Sequence, residues 1–418
     1  MIEAVCSTIW ILWVSFTAIA AGNVWLYLWQ LTTQDRKYQQ STNNDQPQVA
    51  VITCIKGFDP EQTPVFLRSL CDQNYSKYRL IFAFEDDEER ALEWIQTHLL
   101  NSVPRSDSSG PRSCSIVIAG FATLQGQKVH NQLAAFETLV AEDQIIAFAD
   151  ADIQCAPDWL AKLTSPITKD RFQVASGGRL PVPIDASLPT LTATSLLNSV
   201  VTLASFDSLN ITWGGSMAIS RQAFEQVDLP SVLSGCLNDD VRLAVKTRQK
   251  GFPVGRRLSL MVASPIRLNW PGFWEFSTRQ YYQIKKYSPF TFLLGIYPTF
   301  LYTLGFLSAC VALALGNNNA LIALLLVAGF DQLRAFGRSR IFAACVDPQN
   351  VKFKWRMIIM QHALTPFWMA VHACIIIKAI PQRSITWGGI TYQVIRQNRI
   401  RILNDPRQHR PSDDQRAA

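Results

Sequence analysis

Long apolar segments at both ends of the chain limit where a water-soluble domain can form. A bilayer is crossed by about 20 apolar residues in a helix. Four apolar blocks meet or approach this length: Thr8–Leu31, Phe290–Leu315, Ala320–Phe336 and Met357–Ile380. A secretory signal is the alternative for the first block, but it has no basic n-region and is too long for an h-region. The predicted organisation is therefore a transmembrane anchor at 8–32, a soluble domain at 48–288, membrane segments at 289–380 and a basic tail at 381–418.

Basic residues beside the apolar blocks predict the orientation. The stretch Gly337–Arg356 is rich in Lys and Arg, and such loops remain in the cytoplasm. The domain at 48–288 is then cytoplasmic and the protein is an integral membrane protein. Four crossings would put the tail outside, although it carries seven arginines against three aspartates. Either the last block, with Pro366 at its centre, re-enters the membrane, or the charge rule is broken here.

The net charge of +7 is largely explained by these two membrane-proximal segments, which suit anionic lipid headgroups. Nucleic acid is excluded as a partner because no basic-aromatic module accompanies the charge. The nine cysteines include no C-x-x-C pair, so neither a disulfide framework nor a zinc site is expected.

Alternating strand and helix patterns predict the fold of the soluble domain. Short apolar runs bounded by turn residues predict buried strands. The expected strands are Val49–Ile55, Tyr78–Phe84, Ser115–Ala119 and Ile145–Ala149. Helical spacing lies between them at Thr63–Gln73, Glu88–Leu100 and Lys128–Val140. This order predicts an α/β fold with a doubly wound, mostly parallel sheet.

Two carboxylates follow the last of these strands. Alternation places Asp150 and Asp152 on one side of an extended chain. Like charges this close are costly unless a cation lies between them. Ligands bind at the carboxyl ends of strands in such sheets. The pair therefore predicts a site for Mg²⁺ or Mn²⁺ with a phosphorylated ligand; a solvated surface turn is the alternative.

Other polar residues are expected near the same edge. Lys56 follows the first strand and Asp86 the second, a set that suits a nucleotide with its diphosphate. Asp86 can instead belong to an acidic helix start. Gly214 and Gly215 allow close approach of a ligand or a tight turn. Asp239 and Asp240 begin a helix and can either cap it or provide a general base for an acceptor hydroxyl.

Two apolar stretches have a possible membrane role. Ser195–Ser208 is mildly amphipathic and fits either an interface helix or a core helix. The aromatic run Trp270–Trp274 fits either the headgroup level or ordinary packing.

These motifs together resemble the membrane-bound, inverting GT-A glycosyltransferases, and more narrowly the ceramide glucosyltransferase (glucosylceramide synthase) family. The order is Asp86, Asp150-Ala151-Asp152, Gly214-Gly215-Ser216 and Asp239-Asp240, between one N-terminal and several C-terminal membrane segments. The most similar stretches are Ile55–Pro60, Gln73–Tyr78 and the Trp-containing segment Ser384–Tyr392. The resemblance spans roughly residues 10–400.

The resemblance implies residue roles. Asp150 and Asp152 would hold Mg²⁺ or Mn²⁺ on the diphosphate, Asp86 would contact the nucleotide, and Asp240 would be the catalytic base. The remaining substrate-binding set is Lys56, Gly57, Lys128, Asn131, Gly214, Gly215, Asp239, Arg279 and Tyr282.

One motif departs from the family. The usual Gln/Arg-x-x-Arg-Trp is replaced by Arg279–Gln283, in which Tyr282 and Gln283 stand for Arg-Trp. This replacement loses a fixed charge, which Lys285 or Lys286 would have to supply.

The expected function is transfer of one sugar from a nucleotide sugar, UDP-glucose first, to a ceramide-like lipid hydroxyl with inversion at the membrane face. A processive polysaccharide synthase would instead lengthen a glycan. A non-catalytic protein that binds nucleotide sugar or lipid would release no nucleoside diphosphate.

Overall fold

A seven-stranded sheet lies at the centre of the domain between the apolar segments. The computed structural model describes residues 2–39, 46–100, 110–168, 172–202, 210–346 and 354–409. The strands of this sheet are β1 Val49–Cys54, β2 Tyr78–Phe84, β3 Cys114–Ile118, β4 Ile145–Ala149, β5 Val174–Pro183, β6 Ser216–Ser220 and β7 Val254–Ile266. Their order is β3-β2-β1-β4-β6-β5-β7, and only β6 runs antiparallel to its neighbours.

Helices cover both faces of this sheet. The helices of the described chain are α1 Ile2–Gln39, α2 Thr63–Cys71, α3 Arg90–His98, α4 Gln127–Phe136, α5 Trp159–Thr168, α6 Leu188–Val201, α7 Arg221–Gln226, α8 Leu229–Leu233, α9 Asp240–Gln249, α10 Trp270–Tyr287, α11 Pro289–Ala314, α12 Asn318–Cys345, α13 Lys354–His362 and α14 Thr365–Ala379. Apolar side chains of α2, α3 and α5 form one core layer, and those of α4, α7 and α9 form the other. The expected α/β fold, with a doubly wound and mostly parallel sheet and apolar helices at both ends, is confirmed.

Three helices are long and apolar enough to cross a membrane: α1 over Val5–Thr33, α11 and α12. They pack closely where small residues admit large ones. A Cβ on Gly305 of α11 would lie 2.6 Å from the ring of Trp13 in α1. Trp13 also meets Tyr302 edge to face, with ring centroids 5.6 Å apart.

The last apolar block is not one straight helix. The helix within Trp355–His362 and α14 meet at an angle of 74°. Pro366 stands in the first turn of α14, where a proline is tolerated because its missing N–H has no helical partner. The pair is therefore either a broken span or a re-entrant segment.

The expected basic loop Gly337–Arg356 is wrong in its first part. Helix α12 continues to Cys345, so Arg338 and Arg340 are helical. Arg338 is buried, with its guanidinium 5.8 Å from the ring centre of Trp368. Residues 347–353 of this stretch lie outside the described residues.

The basic tail forms a second, three-stranded sheet. Its strands are β8 Ile385–Trp387, β9 Ile390–Arg396 and β10 Arg399–Asn404, in the order β10-β9-β8, and a 3-10 turn follows at Pro406–His409. Buried Ile385, Ile390 and Tyr392 pack with Leu237 of the catalytic-domain segment. The tail thus docks onto the large sheet domain as far as residue 409, and residues 410–418 lie outside the described part.

Helix α6 covers the described portion of the stretch Ser195–Ser208, of which residues 203–208 lie outside the described chain. Its residues Thr190 to Ser195 are buried against β5, α13 and α14. A packed helix, the second of the two alternatives, fits this position.

Candidate active site

Lys128 connects the two acidic motifs of the sequence. It lies in the first turn of α4, and its Nζ is 2.7 Å from Asp150 Oδ1 and 3.0 Å from Asp239 Oδ2. Gln132, one turn later, donates to Asp239 Oδ2 at 2.8 Å. The end of β4 and the start of α9 are thereby brought to one ammonium group.

Burial and opposite charge compete in this cluster. Burial disfavours the charge of Lys128, but Asp150, Asp239 and Asp240 outweigh it and hold its pKa well above the ordinary value. Burial also works against Asp239, yet Lys128 and Gln132 lower its pKa. Burial raises the pKa of Asp150, which shares Lys128 and faces Asp152. Lys128 therefore stays charged and Asp239 is its ionised partner.

Asp240 is the first residue of α9 and is held by backbone donors. The Gly214 N–H donates to its Oδ2 at 3.0 Å and the Val241 N–H to its Oδ1 at 2.6 Å. Burial, with Asp239 adding to it, raises the pKa of Asp240 to about 6 against the pull of Lys128. A carboxylate with such a pKa suits a general base near neutral pH.

Gly214 leaves room for these charges. A Cβ there would lie 2.8 Å from Lys128 Nζ and 3.1 Å from Asp239 Oδ2. At Gly215 it would lie 2.1 Å from the ring of Trp213. The paired glycines thus lie in a tight turn closed by the Ser216 N–H to Trp213 O at 3.1 Å, which is one of their two expected roles.

Asp150 and Asp152 offer the carboxylates for a divalent ion. Their side chains are 30% and 51% exposed, and Asp152 Oδ2 lies 2.7 Å from Arg179 Nη2. Among the described residues, no group of three or more His, Cys, Asp or Glu side chains could hold a metal. Mg²⁺ is commonly bound by one or two carboxylates, with substrate phosphates and water completing its shell. The donor set therefore fits an ion that arrives with a diphosphate.

A further group of candidate residues lies at the ends of β1 and β2. Lys56 Nζ lies 2.9 Å from both carboxylate oxygens of Glu85, which is buried. Gly57 has a φ of +74° and donates its N–H to Glu89 at 2.9 Å. Asp86 accepts the Glu88 N–H at 3.1 Å and lines a pocket beside the main cleft. Its position before α3 and beside the cleft fits both alternatives, the acidic helix start and the nucleotide contact.

Helix α10 contributes Arg279 but not Tyr282. The Arg279 guanidinium lies between the rings of Phe276 and Trp387, 5.6 and 5.0 Å from their centres, and burial lowers its pKa. Tyr282 is fully buried outside the cleft. Its hydroxyl donates to Arg383 O and accepts the Val394 N–H, each at 2.9 Å. The substrate-binding role expected for Tyr282 does not fit this position.

The expected replacement of the missing charge by Lys285 is also wrong. Its Nζ donates to the carbonyls of Ala379, Ile380 and Gln382 at 2.8 to 3.0 Å, which satisfies the end of α14. Lys286 lies over the ring of Tyr282. Arg179, which sequence reasoning missed, is the additional cation beside Asp152.

One cleft of about 570 Å³ unites the candidate residues. Of the predicted set, it is lined by Lys56, Gly57, Lys128, Asn131, Asp150, Asp152, Asp239, Asp240 and Arg279. Asn131 accepts a hydrogen bond from Gln127 at 2.8 Å. Four lining residues come from the tail: Trp387, Gly388, Ile390 and Tyr392. The Trp-containing segment marked these residues in the sequence without indicating their contact with the cleft.

Comparison with known proteins assigns the family. No curated protein matches the chain in sequence. Among solved structures, the chain is similar to the mannosyltransferase PcManGT from Pyrobaculum calidifontis in complex with GDP-Man and Mn2+. The identity is 15% and the TM-score 0.48, over 86% of this chain and 99% of that one. The profile of Glycosyl transferase family 21 matches residues 12–400, so the chain belongs to this family of glycosyltransferases.

Proposed function

We propose that this glycosyltransferase moves one sugar from a nucleotide sugar, UDP-glucose first, to the hydroxyl of a ceramide-like lipid at the membrane face, with inversion. The observation that carries the proposal is the single cleft shared by Asp240, Lys128 and the Asp150–Asp152 pair. A base, a buried cation and two metal-type carboxylates are the groups that this reaction requires.

Asp240 takes the proton from the acceptor hydroxyl as that oxygen attacks the anomeric carbon. The nucleoside diphosphate leaves from the opposite face and needs no proton, so one base suffices and configuration inverts. Glycoside hydrolases differ in requiring a second carboxyl group. Lys128, pinned by Asp150 and Asp239, keeps a positive charge in the cleft and holds the two acidic segments in register.

A divalent ion held by Asp150 and Asp152 would supply Lewis-acid stabilisation of the charge that develops on the diphosphate. Arg179 and Arg279 both line the cleft, with their guanidinium groups 5.5 and 5.6 Å from the ring centre of Phe276, and supply fixed positive charge there. The guanidinium of Arg279 is kept in place by its two aromatic neighbours, Phe276 and Trp387.

A lipid acceptor is supported by how the cleft is connected to the apolar helices. Strands β5 and β7 line the cleft with Ile184 and Pro265 near their ends. The same two strands pack on the apolar helices through Leu180 and Met261. A lipid whose chains stay in the bilayer can therefore present its headgroup hydroxyl to the cleft.

The test is release of UDP from UDP-glucose by membranes that carry the protein. We expect release that needs Mn²⁺ or Mg²⁺ and added ceramide or lipid extract, and one added sugar per lipid. The variant Asp240→Asn should lose about two to four orders of magnitude in rate, because general-base catalysis contributes that much.

Asp158→Asn is the matched control, since Asp158 forms only an exposed pair with Lys162. It should retain full activity. A lengthening glycan would instead indicate a polymerase. Absence of UDP release with any nucleotide sugar and any lipid would contradict the proposal.

A further inference from the structure

We infer that the C-terminal sheet forms one wall of the donor end of the cleft, the end bounded by Lys56, Glu85 and Gln127, and that Arg407 is a positioning residue for the donor nucleotide. The inference rests on the proposed function, because it assigns the donor to this end. It concerns the C-terminal sheet and the turn after it, and Arg407 in that turn lies more than 100 residues after the catalytic domain, which ends at residue 288.

Arg407 is held from several directions. Its Nη1 lies 2.7 Å from Glu85 Oε2 and 2.8 Å from Gln127 Oε1. Its Nε and Nη2 bind Asp405 at 2.8 and 2.7 Å, and its guanidinium lies 4.7 Å from the ring centre of Phe121. The side chain is 9% exposed. A planar fork with this many donors satisfied fixes the positions of its partners.

Both partners belong to the donor end of the cleft. Glu85 directly follows β2 and holds Lys56 by two contacts of 2.9 Å. Gln127 begins α4 directly before Lys128 and donates to Asn131 at 2.8 Å. Arg407 thus directly contacts the two side chains, Glu85 and Gln127, that position Lys56 and Asn131.

The charges explain why the guanidinium matters for an anionic donor. Lys56 and Arg407 are two cations that face two anions, Glu85 and Asp405, and the group is neutral. Without Arg407 one negative charge is left over at the end of the cleft assigned to the anionic donor nucleotide, and Glu85 is neutralised by Lys56 alone. A diphosphate would then be bound more weakly.

Two other tail residues reach the same end. Tyr392 accepts the backbone N–H of Gln127 at 3.3 Å, at the start of α4. A Cβ on Gly388, in the direction of the cleft, would lie 3.4 Å from Lys56 Cδ. The tail therefore contacts the ends of β1 and β2 and the start of α4, which together border this end of the cleft.

The experiment measures binding of Mg²⁺ with UDP, and separately with GDP, to the full-length protein in detergent by calorimetry. The test uses whichever of the two nucleotides the wild type binds more tightly. We expect Arg407→Gln to weaken its binding by about ten-fold, the effect of a lost charge-assisted hydrogen bond. Arg407→Lys should fall between, since it keeps the charge without the fork. Arg401→Gln, on an exposed face of the same sheet, should bind like the wild type.

The kinetic signature separates positioning from general damage. In Arg407→Gln the KM for the donor should rise while kcat stays within about two-fold, as expected when only ground-state binding is lost. If this variant fails to fold, Tyr392→Phe takes its place with an expected weakening of about three-fold, because one neutral hydrogen bond is removed.

The outcomes are distinct. A wild type that binds neither nucleotide contradicts the proposed function. A wild type that binds one of them, with unchanged affinity in Arg407→Gln, overturns the inference about the tail while leaving the proposed function in place.

Discussion

Asp240 sets the expected pH dependence at the scale of a single residue. A buried carboxylate beside Asp239 resists ionisation, while two backbone N–H groups favour it, and the balance places the pKa at about 6. This value is above that of an ordinary aspartate. As the proposed base, Asp240 would be competent above about pH 6 and would be protonated and inactive below it.

We expect kcat/KM for the donor and acceptor to rise with pH, by about ten-fold per unit below the pKa and to a plateau above it. The measurement is UDP release over the acidic and neutral range, with Asp158→Asn as control. The control should show the same rise of kcat/KM with pH on the acidic side, with an apparent pKa of about 6. An acidic limb set near the pKa of an ordinary aspartate, or none at all, would contradict the role of Asp240 as base.

Residue positions near strand ends could be predicted from the sequence, while contacts across the chain could not. Asp150 and Lys56 are expected at one edge because the carboxyl ends of parallel strands lie together, whereas Asp240 is placed in the site by the family resemblance. Tyr282 was misplaced because its motif position does not reveal that its hydroxyl binds the tail. Arg407 was missed because its partner Glu85 is 322 residues away.

At the scale of elements, α10 is joined to the tail sheet by the hydroxyl of Tyr282. This fully buried hydroxyl donates to the carbonyl of Arg383, just before β8, and accepts the N–H of Val394 in β9. Both backbone groups would be left unpaired without it. Such groups are costly because no water replaces the lost partner.

Tyr282→Phe should therefore lower the free energy of unfolding by about 1–3 kcal/mol. Thermal unfolding of the purified protein in detergent measures this as a lower midpoint. Tyr297→Phe is a matched control, since Tyr297 is 57% exposed on α11. Equal midpoints for Tyr282→Phe and the wild type would show that the hydroxyl does not hold the tail.

Elements of the first half could be predicted because their signal is local. Strands β1, β2 and β4 are continuous apolar runs that are buried on both faces. Strand β5 carries glycines and prolines that ordinarily mark turns. Its glycines are needed for packing: a Cβ on Gly177 would lie 2.3 Å from Leu260 O. This packing requirement becomes visible only when β7, which contains Leu260, is paired with β5.

For the whole molecule, the docked tail determines how often the chain crosses the membrane. The catalytic domain lies between α1 and α11, and the hairpin of α11 and α12 returns the chain to its side. The tail then contacts the domain, as in the pair of Arg407 with Glu85. An even number of crossings must separate α12 from the tail. We therefore propose that the bent pair of α13 and α14 re-enters the membrane and does not cross it, which also agrees with the positive charge of the tail.

This topology predicts which positions react from outside. Cysteines placed at Asn318, Glu61 and Arg401 would lie at the start of α12 beside its turn to α11, in the catalytic domain and in the tail. A membrane-impermeant maleimide on intact cells should label Asn318→Cys alone, above the background of the unsubstituted protein. Glu61→Cys and Arg401→Cys should be labelled only after permeabilisation, because the positive-inside rule predicts that the basic segments, and both positions with them, are cytoplasmic.

The two reporters on the catalytic side separate two claims. If Glu61→Cys and Arg401→Cys react together from outside, the orientation is reversed but the re-entrant segment stands. If Arg401→Cys reacts from outside and Glu61→Cys does not, α13 and α14 cross the membrane. The tail could then not reach Glu85, and both the wall of the donor site and the role of Arg407 would be excluded. Sidedness of one position in the tail thus tests the architecture on which the active site depends.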